Sequence, residues 1–366
     1  MNKIETVQNF MLDAKIPLVA VTAGPDLRYL TGLDFHISER PAILLLAVQG
    51  PPHLIHPELE AVKVKGCKFP LISFPYGESK ETWASVCAQA LNALPGDKIK
   101  IGVISTQMRY LEMELIHRAG PELRFVTVDK YIQEMRKQKE VGEIASIRKA
   151  VEIAERAFLE TIRIIEPGRT EKEIAAALVL NLFNSGSDPE LPFSPIVASG
   201  PNSADPHAVP TERVVEVGDL IVIDWGAACS HYISDITRTI SIGSPSAEFE
   251  QIARIVSAAN TAAREKAGEQ VLCSEVDAAA RAVITAADYG EYFTHRTGHG
   301  IGLEAHEAPY ISAEDQYPLK IGNTFTIEPG IYLPGRGGVR IEDNVAITEQ
   351  GAETLTSLPR ELFIID

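Results

Sequence analysis

GDLIVIDWGAACSHYISDITRT, residues 218–239, holds two β-branched runs, and an acid stands where each meets the middle of the segment: Asp224 after LIVI and Asp235 before ITRT. A carboxylate in an apolar strand context is expensive unless something compensates it. The two acids are eleven residues apart, and an odd separation on one continuous strand puts side chains on opposite faces. They converge only if the chain reverses between them. Gly226 and the small residues Ala227–Ser230 permit a hairpin or a bulge there. Two readings follow: carboxylates meeting on a shared ion, or two acids at a sheet rim.

Moving towards the C-terminus, three more potential ligands lie in similar contexts: His299 in HRTGHGIGLEAHE (295–307), Glu328 in TFTIEPGIYL (324–333) and Glu342 in GVRIEDNVAIT (338–348). Four carboxylates and an imidazole form a hard donor set that suits a pair of divalent ions, Mn²⁺ or Co²⁺, better than one thiolate-bound zinc. Two ions roughly 3.5–4 Å apart can activate a shared water and polarise a carbonyl. The C-terminal half therefore reads as a hydrolase. Gly298, Gly300 and Gly302 alternate around His299 and suggest close backbone approach or positive φ. They do not match GxGxxG, which argues against a phosphate cradle. His306 follows His299 by seven residues. Arg340, two residues before Glu342, shares its strand face. GRGGVR (335–340) reads as a hairpin turn rather than an anion loop. Towards the N-terminus, ASGPNSADPHAVPT (198–211) places His207 between two prolines that stiffen its loop. It is either a turn with an incidental histidine or a group that polarises a substrate carbonyl.

Composition narrows the partners. The net charge of -16 and the absence of a dense Lys/Arg stripe argue against nucleic acid. Four scattered cysteines, with no CxxC pair, read as reduced thiols, and Cys229 reads as a packing residue. The polar, amphipathic start MNKIETVQNFMLDAKIP lacks the apolar run of a signal peptide, and no window is apolar enough to span a membrane. A cytoplasmic protein is expected. At 366 residues, two domains are expected.

Residues 1–128 alternate strand runs (Pro17–Thr22, Ala42–Val48, His53–His56, Ile99–Ile104, Phe125–Thr127) with helical stretches (Ile4–Ala14, Lys80–Leu94, Met108–Gly120), an α/β pattern. The charged stretch 129–140 reads as a linker, and 141–366 as a second, α+β domain. That domain opens with a helix whose stripe is Ile144, Ile147, Val151, Ala154, Phe158 and Ile162, ended by Pro167 and Gly168. Thr170 and Glu173 form a capping box for the next helix. Helices are also expected over Ala247–Lys266 and Ser274–Tyr289, the second capped by Ser274.

The ordered set SGPNSADPHAVPT, GDLIVIDWGAACSHYISDITRT, HRTGHGIGLEAHEAP and TIEPGIYLPGRGGVRIEDN closely resembles the Xaa-Pro peptidases, the proline dipeptidases and aminopeptidases P of the pita-bread metallopeptidase fold. The resemblance is strong over about residues 140–360. It is looser in the N-terminal half, where RYLTGL (28–33) and the α/β pattern look like a creatinase-like domain. It implies that Asp224 chelates one ion, Asp235 and Glu342 bridge both, and His299 and Glu328 hold the other. It also implies that Glu328 accepts a proton, that His207 and His306 face substrate, and that Tyr232 and Arg340 support the site. The metals would be Mn²⁺ or Co²⁺, with Zn²⁺ tolerated. The substrates would be proline-containing dipeptides or short peptides, and the protein a homodimer. The family's usual Gly-Tyr before the second acid is His231-Tyr232 here. Alternatives within the fold are a methionine-aminopeptidase-like enzyme and a non-catalytic peptide-binding module.

Overall fold

Leu18–Thr22 (β1) is buried along its whole length, and its side chains alternate between two cores. Leu18 and Ala20 join one cluster and Val19 and Val21 the other, as period-two geometry requires of a strand covered on both faces. The computed structural model describes residues 2–67, 69–96 and 99–365. The chain divides into two units, 1–135 and 136–366.

In the first unit β1 pairs antiparallel with β2 (Ile43–Ala47), which pairs antiparallel with β3 (His53–Pro57). β4 (Ile72–Tyr76), β5 (Lys100–Val103) and β6 (Arg124–Thr127) add in parallel, giving the order β4-β3-β2-β1-β5-β6. The helices are α1 (Lys3–Ala14), α2 (Pro25–Thr31), α3 (Ala61–Lys65), α4 (Lys80–Ala93) and α5 (Tyr110–Ala119). The α/β expectation holds. β4 has no counterpart in the sequence reading, because it is an edge strand carrying Pro75 and an exposed Ile72. The stretch read as a linker is instead helical over Asp129–Lys137 (α6). Val128 and Ile132 are buried in the first unit's core and Met135 packs against it, so spacing of four and three outweighs the surrounding charge.

The second unit begins with α7 (Val141–Thr161), which passes into a 3₁₀ turn at Ile162–Ile164, ahead of Pro167 and Gly168. α8 (Glu171–Asn184) has the expected capping box: Glu173 N–H donates to Thr170 Oγ1 at 3.2 Å, and Thr170 N–H donates to Glu173 at 2.8 Å. β7 (Ile196–Ser199) and β8 (Leu220–Trp225) precede a small hairpin of β9 (Ala228–Cys229) and β10 (Tyr232–Ile233), then β11 (Ile236–Ile242). With the C-terminal β19 (Phe363–Ile365) they form a sheet ordered β19-β11-β8-β7. α7 locks onto this sheet through Phe158, which stacks on Trp225 at 4.5 Å between ring centroids. Trp225 Nε1 donates to Ala154 O at 2.9 Å.

α9 (Ala247–Lys266) and α10 (Cys273–Ala286) form a second core with the sheet β13-β12-β14-β17-β18. Its strands are β12 (Gly298–Gly300), β13 (Glu307–Ile311), β14 (Thr324–Ile327), β17 (Asp343–Thr348) and β18 (Gly351–Thr354). Between them β15 (Gly330–Leu333) and β16 (Gly337–Arg340) make the hairpin expected at 335–340. Ser274 lies inside α10 rather than capping it. The helix starts one residue earlier because Leu272 N–H donates to Glu275, 3.0 Å away. Mixed strands and helices in separate runs agree with the α+β expectation. Among the described residues no helix is long and apolar enough to cross a membrane.

Candidate metal centre

The hairpin between Asp224 and Asp235 makes the predicted reversal. Ser230 and His231 take φ of 52° and 67°, and Cys229 pairs with Tyr232 across the turn. Left-handed torsions at both central positions match the twist of a tight hairpin. His231 occupies the place where glycine would be unstrained, and its N–H is held by Asp188 Oδ2 at 2.8 Å. Behind the hairpin, β11 returns alongside β8 with Thr237 opposite Asp224. Gly226 is required at this crossing, since a Cβ there would stand 2.1 Å from Ser234 O.

Thr237 then recruits Glu342. An isolated antiparallel bridge joins the two residues. Glu342 N–H donates to Thr237 O at 3.1 Å, and Thr237 Oγ1 donates to the Glu342 carboxylate at 2.7 Å. The fully buried Arg238 donates to Glu342 O at 2.7 Å and to Asp343 Oδ1 at 2.9 Å. Asn344 Oδ1 accepts from Asp235 N–H at 3.1 Å. His299 and Glu328 arrive on neighbouring segments. His299 N–H donates to Thr326 Oγ1 at 3.2 Å, and Glu328 N–H to Thr297 O at 2.7 Å. Close approach explains the glycines around His299. Cβ atoms at Gly298 and Gly300 would lie 1.9 Å from Thr326 O and 2.4 Å from Ala308 O. Neither these two nor Gly302 has positive φ, so of the two reasons expected for them only steric room applies.

Asp235, His299 and Glu342 bring ligand atoms within 4.8 Å of one another. His299 Nε2 lies 3.7 Å from Asp235 Oδ2 and 3.3 Å from Glu328 Oε1. Arg340 Nη2 donates to Asp224 Oδ2 at 2.6 Å, Nε to Thr237 Oγ1 at 3.1 Å and Nη1 to Tyr332 OH at 3.0 Å. One buried oxygen on each of Asp224, Asp235 and Glu342 has no hydrogen-bond partner. Burial first, then the charges of their neighbours, pushes Asp235 and Glu342 well above the usual carboxylate range. Burial also raises Asp224, against the opposing pull of Arg340. Burial would raise Glu328 too, but its hydrogen bond with His299 and the nearby positive charges outweigh it and hold Glu328 low. Crowded carboxylates with orphaned oxygens are poor company for each other and good ligands for a hard divalent cation. The residues present fit such ions.

These groups open onto a cavity of about 520 Å³ that also reaches His207, His295, Arg296 and His306. His306 packs its ring edge-on to His299 with centroids 4.1 Å apart. Burial, then the charges of His299 and Arg296, lowers its pKa to about 4, so it is a neutral donor or acceptor at pH 7. Tyr232 does not line the cavity. Its hydroxyl donates to Glu143 Oε1 at 2.5 Å. Two residues, Ile233 and Ser234, stand between it and Asp235, and its hydroxyl is engaged with α7 rather than with the cavity. Cys229 is a free thiol outside the cavity lining. Sequence reasoning missed His295, whose Nε2 lies 2.9 Å from Tyr332 OH. It also missed Arg296, whose guanidinium rests 4.5 Å from the Tyr310 ring centroid. Their place in the same HRTGHG run as His299 was the available signal.

Comparison with known proteins agrees with this geometry. The profile of metallopeptidase family M24 matches residues 145–349, and that of the creatinase/prolidase N-terminal domain matches residues 3–138. An Xaa-Pro dipeptidase of Pyrococcus horikoshii is 37% identical over 362 residues, covering 99% of this chain and 98% of that protein. The crystal structure of a prolidase from Thermococcus sibiricus superposes with a TM-score of 0.92 at 34% identity, over 99% of this chain and 98% of the other. That of an X-Pro aminopeptidase from Thermotoga maritima gives 0.87 at 36% identity, over 100% of each.

Proposed function

The chain belongs to metallopeptidase family M24, behind a creatinase/prolidase N-terminal domain, and from that premise we propose that this metallopeptidase hydrolyses the peptide bond before proline in Xaa-Pro dipeptides. The observation that carries the proposal is the buried Asp235–His299–Glu342 cluster, with its orphaned carboxylate oxygens, opening onto a cavity that also holds Arg296.

In this reading Asp224, Asp235, His299, Glu328 and Glu342 hold two divalent ions, Mn²⁺ or Co²⁺, with Zn²⁺ tolerated. Ions of this kind supply an acidified water and a polarised carbonyl when bound. Glu328, held low by His299, is ionised at neutral pH and accepts a proton. Arg340 fixes Asp224 by its 2.6 Å hydrogen bond. His207 and the neutral His306 steady the oxygen of the scissile carbonyl as charge develops on it. Arg296 makes no hydrogen bond or ion pair with its guanidinium among the described residues, and its charge suits the free carboxylate of a dipeptide. An Xaa-Pro bond is a tertiary amide with a rigid ring, so a shaped cavity gains orientation from a substrate already restricted in φ. The net charge of -16 supports a small peptide partner rather than nucleic acid. A cytoplasmic homodimer with no membrane partner belongs to the same proposal.

The similarity to the Thermotoga maritima X-Pro aminopeptidase along the whole chain favours a second reading, removal of N-terminal residues from longer Xaa-Pro peptides. One panel separates them: Leu-Pro, Leu-Pro-Ala, Ala-Pro and Ala-Ala, each assayed with Mn²⁺ or Co²⁺. The proposal expects Leu-Pro to exceed Leu-Pro-Ala in kcat/KM, and Ala-Pro to exceed Ala-Ala. Preference for the tripeptide would select the aminopeptidase reading. Equal rates on Ala-Pro and Ala-Ala would overturn proline selectivity.

A further inference from the structure

Glu171, the first residue of α8, is wholly buried, yet it lies outside the metal cavity. Its Oε1 accepts from Ser199 N–H at 2.7 Å, Ser199 Oγ at 2.8 Å and Asn202 Nδ2 at 3.0 Å. Its Oε2 accepts from Thr211 N–H at 2.9 Å and Thr211 Oγ1 at 2.6 Å. One carboxylate thus ties together both ends of segment 199–211. These hydrogen bonds outweigh the opposing effect of burial and hold Glu171 below its usual pKa, so at neutral pH the clasp is charged and charge-assisted.

The segment carries His207. That side chain is exposed and makes no hydrogen bond among the described residues. Only its backbone is held. His207 N–H donates to Asp205 Oδ1 at 2.9 Å, and the preceding Pro206 O accepts from Arg340 Nη1 at 3.2 Å. Midway along the segment, Ser203 Oγ accepts from Gly338 N–H at 2.9 Å. An imidazole without side-chain anchors sits only where its backbone puts it. The backbone in turn rests on Glu171 at both ends and on β16 in the middle, with further support where Ser199 pairs with β8 and where Lys172 N–H donates to Thr211 O at 3.2 Å.

We propose that Glu171 is a positioning residue for hydrolysis: it clasps segment 199–211 so that His207 meets the scissile carbonyl. This rests on the substrate-facing role given to His207 above. Unclasping the segment moves His207 without touching a metal ligand, and displacement of a catalytic group by about 1 Å can lower rate by about 100-fold.

The test is a double-mutant cycle of Glu171→Gln and His207→Ala, with metal content and Tm measured on every protein. Glu171→Gln keeps shape but turns an amide NH₂ towards donors. It should retain full metal and lose about 10–100-fold in kcat/KM. In the His207→Ala background the same change should cost less than about twofold, because the group it positions is gone. Independent, multiplicative losses, or an intact folded Glu171→Gln at the wild-type rate, would overturn the proposal. A wild-type rate in His207→Ala alone would instead overturn the role of His207. Should Glu171→Gln fail to fold, Thr211→Val removes the hydroxyl bond to Glu171, together with those that Oγ1 accepts from Asn202 and Arg213, and should show the same coupling with a loss of about threefold.

Discussion

Thr237 shows how little tolerance the centre has at the scale of one residue. Its single hydroxyl donates to Glu342 and accepts from Arg340 Nε, so Arg340, Thr237 and Glu342 form one hydrogen-bonded chain. The carboxylates this chain serves are buried and repel one another, and burial first, then that repulsion, raises the affinity of Asp235 and Glu342 for protons. An acid whose folded pKa is raised loses stabilisation as pH climbs from its unfolded value through its folded one. At neutral pH the metal-free protein therefore carries a penalty that divalent ions would relieve. Glu342→Gln keeps an acceptor for Thr237 while removing one charge. It should raise the Tm of the chelator-treated protein at pH 7. It should also lower kcat/KM by at least about 100-fold, equivalent to about 3 kcal/mol of transition-state stabilisation. Calorimetry and peptide hydrolysis check the two halves. A variant that is active with Mn²⁺ at the wild-type rate would refute the ligand role, and a lowered metal-free Tm would refute the crowding.

At the scale of elements, the hairpin of β9 and β10 sets the register that carries Asp224 opposite Thr237 and leaves Asp235 one residue before β11. It does so with two non-glycine residues at positive φ, Ser230 and His231. Such torsions disfavour L-residues by roughly 1–2 kcal/mol each. His231 is exposed, and its recorded hydrogen bond comes from its backbone. His231→Gly should thus release strain and stabilise the fold by about 0.5–1 kcal/mol, after allowing for the extra freedom glycine gives the unfolded chain. Urea denaturation measures it: the midpoint should rise at unchanged slope, with kcat/KM on Leu-Pro retained. A fall in the midpoint would mean that the imidazole contributes a contact worth more than the strain.

Across the whole molecule, all five potential ligands lie in the unit 136–366, as do the described residues that line the cavity. Ligand binding stabilises the folded state by an amount set by concentration over affinity, about 2.7 kcal/mol at a hundred times Kd. That gain should be confined to the elements carrying ligands. Adding Mn²⁺ to the chelated protein should slow amide exchange in β8 and β12, which carry Asp224 and His299, and in β11, β14 and β17, which adjoin the other ligands, and leave β1, β2 and β3 unchanged, as read by hydrogen-exchange mass spectrometry. Equal protection in both units, or none in either, would contradict that assignment. Much of this was legible in the chain itself. The acids closing β-branched runs, the capping box at Thr170, the hairpin at 335–340 and the need for reversal after Gly226 are local patterns, and local patterns report torsion and side-chain face. Even the candidate ligands stood out, because a charge in an apolar strand requires compensation wherever it folds. Only the tertiary structure decided which faces meet. Residue 342 reaches residue 237 through a pairing more than a hundred positions away in sequence. Asp235 is buried beside that pairing, whereas the Tyr232 hydroxyl reaches Glu143 of α7. Burial of Val128 and Ile132 turns a charged linker into a helix. Glu171, an ordinary first-turn acid in sequence, becomes the clasp of a loop whose ends come together only on folding. The physical reason is common to these cases: contacts between distant segments are selected by mutual burial and hydrogen-bond satisfaction, which no single stretch of sequence contains.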